Sequence, residues 1–249
     1  MFPLLPLAAL GFFLGIRHAT DPDHVVAVAT IVSRERTIGS AALIGVLWGL
    51  GHTVTILLAG GVIAFFGLVV PPQVGLTMEL SVALMLIVLG ALGVAGVRRQ
   101  QSGPHAHGDY VHAHPGGHES DHHGHGEHET PLGRLDRRFG GLGFYQAARP
   151  FVVGVVHGLA GSAAVALLVV ATIHDPLIYL AYLIVFGLGT IAGMMVITAA
   201  IALPFVYSAR RLLGVNRVLT LAAGLLSVGF GLFLVYQIGL VGGLLTGRY

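Results

Sequence analysis

The segment Arg17-His18-Ala19-Thr20-Asp21-Pro22-Asp23-His24 interrupts a long apolar stretch near the beginning of the chain. It brings two carboxylates, two imidazoles and a guanidinium into what otherwise reads as a membrane span. An ionisable side chain at the centre of a spanning helix costs about 2.5–3.5 kcal/mol on insertion scales, so such a cluster persists where it faces charged partners, water or a bound ion. The segment therefore predicts a cation site within a membrane span.

The composition of the whole chain indicates a polytopic membrane protein. Of its 249 residues, 55% are hydrophobic and only 10% are charged, whereas a soluble domain has about 25% charged residues. The chain has no cysteine, which excludes thiolate metal sites and thiol nucleophiles, and no lysine, which excludes a standard P-loop. No basic patch interleaved with aromatic residues is present, so the expected partner is the lipid bilayer and not a nucleic acid.

Six apolar stretches are long enough to cross a bilayer, which takes roughly 20 helical residues. They predict an all-α protein with six transmembrane helices, at residues 3–33, 38–68, 76–97, 150–173, 177–205 and 218–241. Nearly all arginines outside the first span fall in the loops between spans 1 and 2, 3 and 4, and 5 and 6, with Arg248 on the other side. By the positive-inside rule, these loops are cytoplasmic and both termini are external, in a prokaryotic cytoplasmic (inner) membrane.

The two halves of the chain resemble each other at a nearly constant offset. Residue pairs in successive spans are separated by 139, 138 and 139 positions, namely His18 and His157, Gly51 and Gly189, and Gly90 and Gly229. Since each repeat has an odd number of spans, the second copy must be inverted relative to the first, as in many secondary transporters. The predicted organisation is a three-helix repeat at 1–99, a cytoplasmic His-rich and largely disordered loop at 100–149, and a second three-helix repeat at 150–249.

Pro22 predicts that span 1 is broken or kinked at the charged segment. Proline cannot donate the helical hydrogen bond to the carbonyl of His18, and it disfavours helical geometry at Asp21. In an unbroken helix Asp23 would face away from His18, whereas a break lets both side chains turn toward one centre. The alternative is that Arg17 and Asp21 merely neutralise each other and that the histidines hydrogen-bond to neighbouring helices.

Three motifs resemble those of a known family. The segment RHATDPDH resembles the His-x4-Asp-His signature of the nickel/cobalt transporter superfamily, with Pro22 where the family usually has alanine. The sequence LGHTVTI around His52 is similar to a second motif of that family. The sequence HGLAGSAAVALLV from His157 resembles the corresponding element of the shorter, six-span urease-accessory-type nickel permeases.

This resemblance implies a transported Ni²⁺ or Co²⁺ ion and no prosthetic group. Imidazole suits these metals, and the predicted metal ligands are His18, Asp23, His24 and His52. Arg17, Asp21 and His157 are predicted as further ligands or as groups that orient a ligand. His157 has the alternative interpretation of a packing or hydrogen-bonding residue.

A His-rich tract occupies the loop between the two halves. Nine of the 14 histidines lie there, and they predict a metal-buffering or hand-off segment: His105, His107, His112, His114, His118, His122, His123, His125 and His128. The alternative is a dispensable linker. The stretch His118 to His122 matches the H-E-x-x-H pattern of zinc proteases, but the surrounding glycines oppose the helix which that motif requires, so we expect no enzyme and no catalytic residue.

The combined prediction is a secondary transporter of Ni²⁺, Co²⁺ or both, operating by alternating access at a His/Asp site. A divalent cation entering an inside-negative cell gains about 4.6 kcal/mol per 100 mV, so uptake needs no ATP. Family exporters tend to replace the Asp before the last His by Gly, so Asp23 favours uptake over efflux. The same residues leave open a membrane subunit of an ATP-driven metal importer and a metal-dependent intramembrane enzyme or urease-accessory factor. Expected partners include a cytoplasmic metallochaperone or urease and hydrogenase maturation factors.

Overall fold

The computed structural model describes residues 4–66, 71–99, 143–158 and 175–244, and the regular structure in these ranges is entirely helical. The helices are α1 (Leu4–His18), α2 (Pro22–Val32), α3 (Ile38–Phe66), α4 (Pro72–Arg99), α5 (Gly143–Gly158), α6 (Pro176–Arg211) and α7 (Leu213–Tyr236), which a π-helical turn extends over Gln237–Val241. The His-rich tract and the second part of the predicted fourth span, 159–173, lie outside the described residues.

Four of the described helices are long and apolar enough to cross a membrane: Ile38–Val62, Pro72–Val97, Leu177–Ala209 and Leu213–Val241. Their outer surfaces and that of α1 carry many exposed large apolar side chains, among them Phe13, Leu58 and Leu225. Such an extensive exposed apolar surface is unusual for a soluble monomer and typical of a lipid-facing one. The expectation of an all-helical membrane protein is thereby confirmed.

The predicted break in the first span is confirmed. Helix α1 ends at His18 and α2 begins at Pro22, where proline occupies the first turn and its missing N–H removes no helical hydrogen bond. Asp21 has the extended ψ of 143° that a residue before proline prefers. The N–H groups of Thr20 and Asp21 donate to the carbonyls of Arg17 and His18, at 2.9 and 3.1 Å, and close a tight turn between the two helices.

Two predicted helix starts were too late in the sequence. The predicted spans 76–97 and 218–241 correspond to α4 and α7, which begin at Pro72 and Leu213. Proline at the first helical position is preorganised for a helix, so α4 begins there although the residues that follow are only moderately apolar. Spanning helices also extend beyond their most apolar stretch, and hydropathy alone does not predict where they begin.

Helices α3 and α6 cross the centre of the fold side by side and run antiparallel. Gly49 approaches the backbone of Ile191, Thr53 lies against Gly187, and Gly60 lies under Leu183, so residue numbers rise along one helix as they fall along the other. Helix α1 packs on α6, and α5 packs on α3. Helix α4 packs on α7, while the short helix α2 reaches α4, α6 and α7. The break between α1 and α2 thus lies beside the central pair.

Candidate metal centre

Four buried imidazoles form one cluster at the break. His18 ends α1, His24 is in the first turn of α2, His52 is near the middle of α3, and His157 is near the end of α5. His18 is 6% exposed and the other three are fully buried. The ring centroid of His24 lies 4.2 Å from that of His157 and 4.8 Å from that of His18, and His18 lies 4.9 Å from His52. The cluster therefore joins side chains from both halves of the chain.

The hydrogen bonds of His18 indicate which of its nitrogens carries the proton. Its Nδ1 lies 2.8 Å from Oδ2 of Asp21, and an ionised carboxylate only accepts, so Nδ1–H donates. The Nε2 of a neutral His18 is then a lone pair, and it lies 2.8 Å from Nε2 of His52, whose N–H donates to it. This assignment leaves Nδ1 of His52 as an unshared lone pair, in agreement with its lack of a hydrogen-bond partner among the described residues.

Asp23 connects the first half of the chain to the second. Its Oδ1 accepts from the backbone N–H of His24 at 3.0 Å and lies 3.2 Å from Nδ1 of the same ring. Its Oδ2 lies 2.9 Å from Nε2 of His157. If both imidazoles donate to this carboxylate, Nε2 of His24 and Nδ1 of His157 are lone pairs, and both are buried without a partner in the part of the chain that the structure describes.

The cluster contains two sets of possible ligand atoms that share His24. One consists of His18, His24 and His52, and the other of Asp23, His24 and His157; within each set the donor atoms lie within 4.8 Å of one another. Ligands bound to one ion at about 2.0–2.1 Å lie within about 4.2 Å of each other, so small side-chain rotations bring either set onto a metal. Imidazole nitrogens with one carboxylate suit a divalent first-row transition metal.

The supporting residues of the charged segment have separate positions. Asp21 is half-exposed and bonds to His18, as a group that orients an imidazole does. Arg17 is exposed, and among the described residues it forms no ion pair with Asp21. The alternative in which Arg17 and Asp21 neutralise each other is therefore wrong: the turn after α1 directs the carboxylate to His18 instead.

Two aromatic residues beside the cluster were not predicted as site residues. The ring of Trp48 is stacked over His24 at 6.1 Å and meets the edge of His157 at 5.5 Å. Phe186 lies 5.6 Å from His18. The position of Trp48 one turn before His52 is the sequence signal that could have found it. Phe186 carries no comparable signal except its place at the repeat offset from Trp48.

Comparison with known proteins agrees with this chemistry. No protein-family model matches the chain, and no solved structure matches it significantly. The urease accessory protein UreH of Bacillus sp. (strain TB-90) is 32% identical over 241 residues, which cover 97% of this chain and 95% of that relative. The hydrogenase nickel incorporation protein HupN of Bradyrhizobium diazoefficiens is 34% identical over 99 residues, 37% of this chain and 26% of that relative.

These relatives are accessory and incorporation proteins and not enzymes, which confirms the prediction of a protein without catalytic residues. The similarity to UreH extends over almost the full length of both chains, so it includes the charged segment, the His52 motif and the second half. On this similarity, the chain belongs to the nickel/cobalt transporter superfamily, among its urease-accessory-type nickel permeases.

Proposed function

We propose that this protein is a secondary transporter that carries Ni²⁺, and also Co²⁺, across the cytoplasmic membrane. The observation that carries the proposal is the buried cluster of four imidazoles, drawn from four helices and both halves of the chain. Burying so many polar rings in a membrane protein is costly unless they serve an ion or its pathway. The nickel-related relatives support nickel as the substrate in general terms.

In this proposal His18, His24 and His52 bind the ion, joined by Asp23 and His157 as the ion moves through the cluster. Asp21 orients His18 through its hydrogen bond. Groups that orient a metal-binding imidazole typically change affinity or activity by roughly 10- to 100-fold when removed. Arg17, exposed at the turn, adds positive charge near the ion path and is assigned no ligand role.

Alternating access is proposed because reciprocal contacts relate the two halves. A side chain at Gly51 would strike the carbonyl of Phe151, and one at Gly189 would strike the carbonyl of Phe12. Gly15 and Phe186 meet in the same manner as Gly154 and Trp48. Each pair maps onto its counterpart at the repeat offset of 138 or 139 residues. This supports six spans in two inverted repeats, 1–99 and 150–249, with the site at their interface.

Uptake is the proposed direction. The inside-negative membrane potential contributes about 4.6 kcal/mol per 100 mV to the entry of a divalent cation, and the arginine distribution favours external termini and a cytoplasmic His-rich loop. The loop, residues 100–149, would then capture the released ion through its histidines and pass it to a cytoplasmic metallochaperone or to urease and hydrogenase maturation factors.

The test is accumulation of radioactive nickel by cells that express the protein at matched levels. We expect His18→Ala and His52→Ala to lower accumulation by at least about tenfold, because each removes a ligand of the shared site. Thr220→Val is the matched control, since Thr220 is equally buried but bonds to backbone carbonyls of Ser33 and of α7, away from the cluster. Normal accumulation by both histidine variants would refute the proposal.

Direction and energy source are tested in proteoliposomes without ATP. With an inside-negative potential imposed, we expect Ni²⁺ to accumulate inside and Co²⁺ to compete more strongly than Zn²⁺ or Fe²⁺. An ATP-driven importer subunit predicts no uptake under these conditions. An exporter predicts net movement against the imposed potential only when another gradient is supplied.

A further inference from the structure

Two buried aromatic side chains lie against the imidazole cluster at different places. Trp48, on α3, contacts His24 and His157, while Phe186, on α6, contacts His18. Both rings are almost completely shielded from solvent. We call Trp48 and Phe186 the aromatic pair. Neither ring offers a lone pair that suits a divalent metal, so their position beside the cluster calls for a role other than coordination.

The aromatic pair obeys the same repeat relation as the histidines. Trp48 and Phe186 are 138 residues apart, and the histidines that they contact, His18 and His157, are 139 apart. The contact of Trp48 with His157, at 5.5 Å, is therefore the counterpart of the contact of Phe186 with His18, at 5.6 Å. Each half of the chain covers the histidine of the other half with one aromatic ring.

The two rings lie at opposite ends of the cluster along the central helices. In the antiparallel pair, Thr53 lies against Gly187, so Phe186 is level with about residue 54 of α3. Trp48 lies about six residues nearer the beginning of α3, which at 1.5 Å per residue is roughly 9 Å away. His52 lies between these levels. The aromatic pair thus encloses the cluster from the side where α3 begins and from the side where α6 begins.

We propose that Trp48 and Phe186 close two opposite entrances to the ion site, one toward each side of the membrane. This inference rests on the proposed transport function. A large apolar ring at a narrow point excludes water and hence a hydrated cation, as hydrophobic constrictions in channels do. The indole N–H of Trp48 meets no acceptor among the described residues, so opening on its side lets water satisfy a buried donor.

The absence of cysteine from the chain allows a direct accessibility test. Thr190→Cys places one thiol between the two rings: Thr190 is fully buried, lies on α6 near Gly15, and corresponds to His52 at the repeat offset of 138. The thiol is exposed to a charged, membrane-impermeant methanethiosulfonate reagent in right-side-out and in inside-out membrane vesicles. The rate of modification is measured from each side.

We expect slow modification of the single-cysteine protein from both sides, because a buried thiol reacts only when the site opens. Adding Phe186→Ala is expected to raise the rate by more than about tenfold from one side only, and Trp48→Ala to raise it similarly from the other side only. With the predicted topology, Phe186 faces the external side and Trp48 the cytoplasmic side. Phe13→Ala, which removes a ring that is 67% exposed on the outer surface, is the control and leaves both rates unchanged.

The proposal fails if either substitution raises the rate from both sides, if both raise it from the same side, or if neither changes it. Trp48→Leu and Phe186→Leu repeat the test with apolar bulk retained, in case the alanine variants do not accumulate in the membrane; smaller increases with the same sidedness are expected. Modification needs no metal. One-sided exposure in a protein that does not transport nickel would therefore refute the proposed function and leave the aromatic pair standing.

Discussion

Gly51 is the residue where the packing of the two halves is most easily perturbed. A carbon added there would lie 3.0 Å from the carbonyl carbon of Phe151 and from the backbone nitrogen of Val155, and nearer still to the carbonyl oxygen of Phe151. Non-bonded carbon atoms prefer a separation of roughly 3.5–4.0 Å. Helix α5 must therefore withdraw by roughly 0.5–1 Å to admit a single methyl group.

Gly51→Ala is expected to destabilise the protein by about 1–3 kcal/mol, the usual cost of overpacking. For a chain of this size each kcal/mol lowers the melting temperature by about 2–4 °C, so the expected fall is roughly 2–12 °C. The withdrawal also moves His157, which is on α5, away from its 2.9 Å contact with Asp23. We therefore expect a reduced rate of nickel uptake as well as a lower melting temperature.

Two matched variants complete the experiment. Gly61→Ala is the control on the same helix, since an added carbon there meets nothing within 4 Å, and alanine favours a helix over glycine by about 0.5–1 kcal/mol. Gly189→Ala, the counterpart of Gly51→Ala, is expected to cost about as much, because it strikes Phe12 in the same manner. The assay is thermal unfolding of the detergent-solubilised protein. Equal melting temperatures for Gly51→Ala and Gly61→Ala would refute the reasoning.

Two further predictions concern the cluster itself. Asp23→Asn is expected to lower nickel uptake by about 10- to 100-fold, because it removes the charge that joins His24 to His157. Asp21→Asn is expected to have a smaller effect, since the Asp21 side chain is 37% exposed, against 16% for Asp23, and serves only His18; a larger loss for Asp21→Asn in the same uptake assay would contradict the assignment. The fluorescence of Trp48, the single tryptophan, should be quenched when Ni²⁺ or Co²⁺ binds, because its ring is stacked on His24. The quenching should disappear in His24→Ala together with His52→Ala, and quenching that persists unchanged in this variant would place the ion elsewhere.

Local chemistry explains which features the sequence predicted. Pro22 follows a residue that must adopt an extended backbone, so the break after His18 follows from steric rules alone. His18 and His24 flank that break and converge as expected, and His52 meets them from the next helix. Long apolar stretches likewise predict spanning helices, because backbone groups in a bilayer are satisfied within a helix.

Contacts between distant parts of the chain were beyond such rules. The bond of His157 to Asp23 joins residues 134 positions apart, and it depends on how closely α5 approaches α3 at Gly51 and Gly154. That closeness is set by backbone packing and not by hydropathy. The same holds for Phe186, whose ring reaches His18 only because α1 lies directly on α6 at Gly15.

The central claim is that the buried imidazoles of both halves bind the transported ion. The most direct measurement is X-ray absorption at the nickel edge on purified protein in which the nine histidines from 105 to 128 are replaced by serine, so that the loop contributes no ligand. The account predicts a nickel shell with several imidazole nitrogens, and fewer of them in His24→Ala and in His52→Ala. A shell of oxygen ligands only, or an imidazole number unchanged by both substitutions, would contradict it.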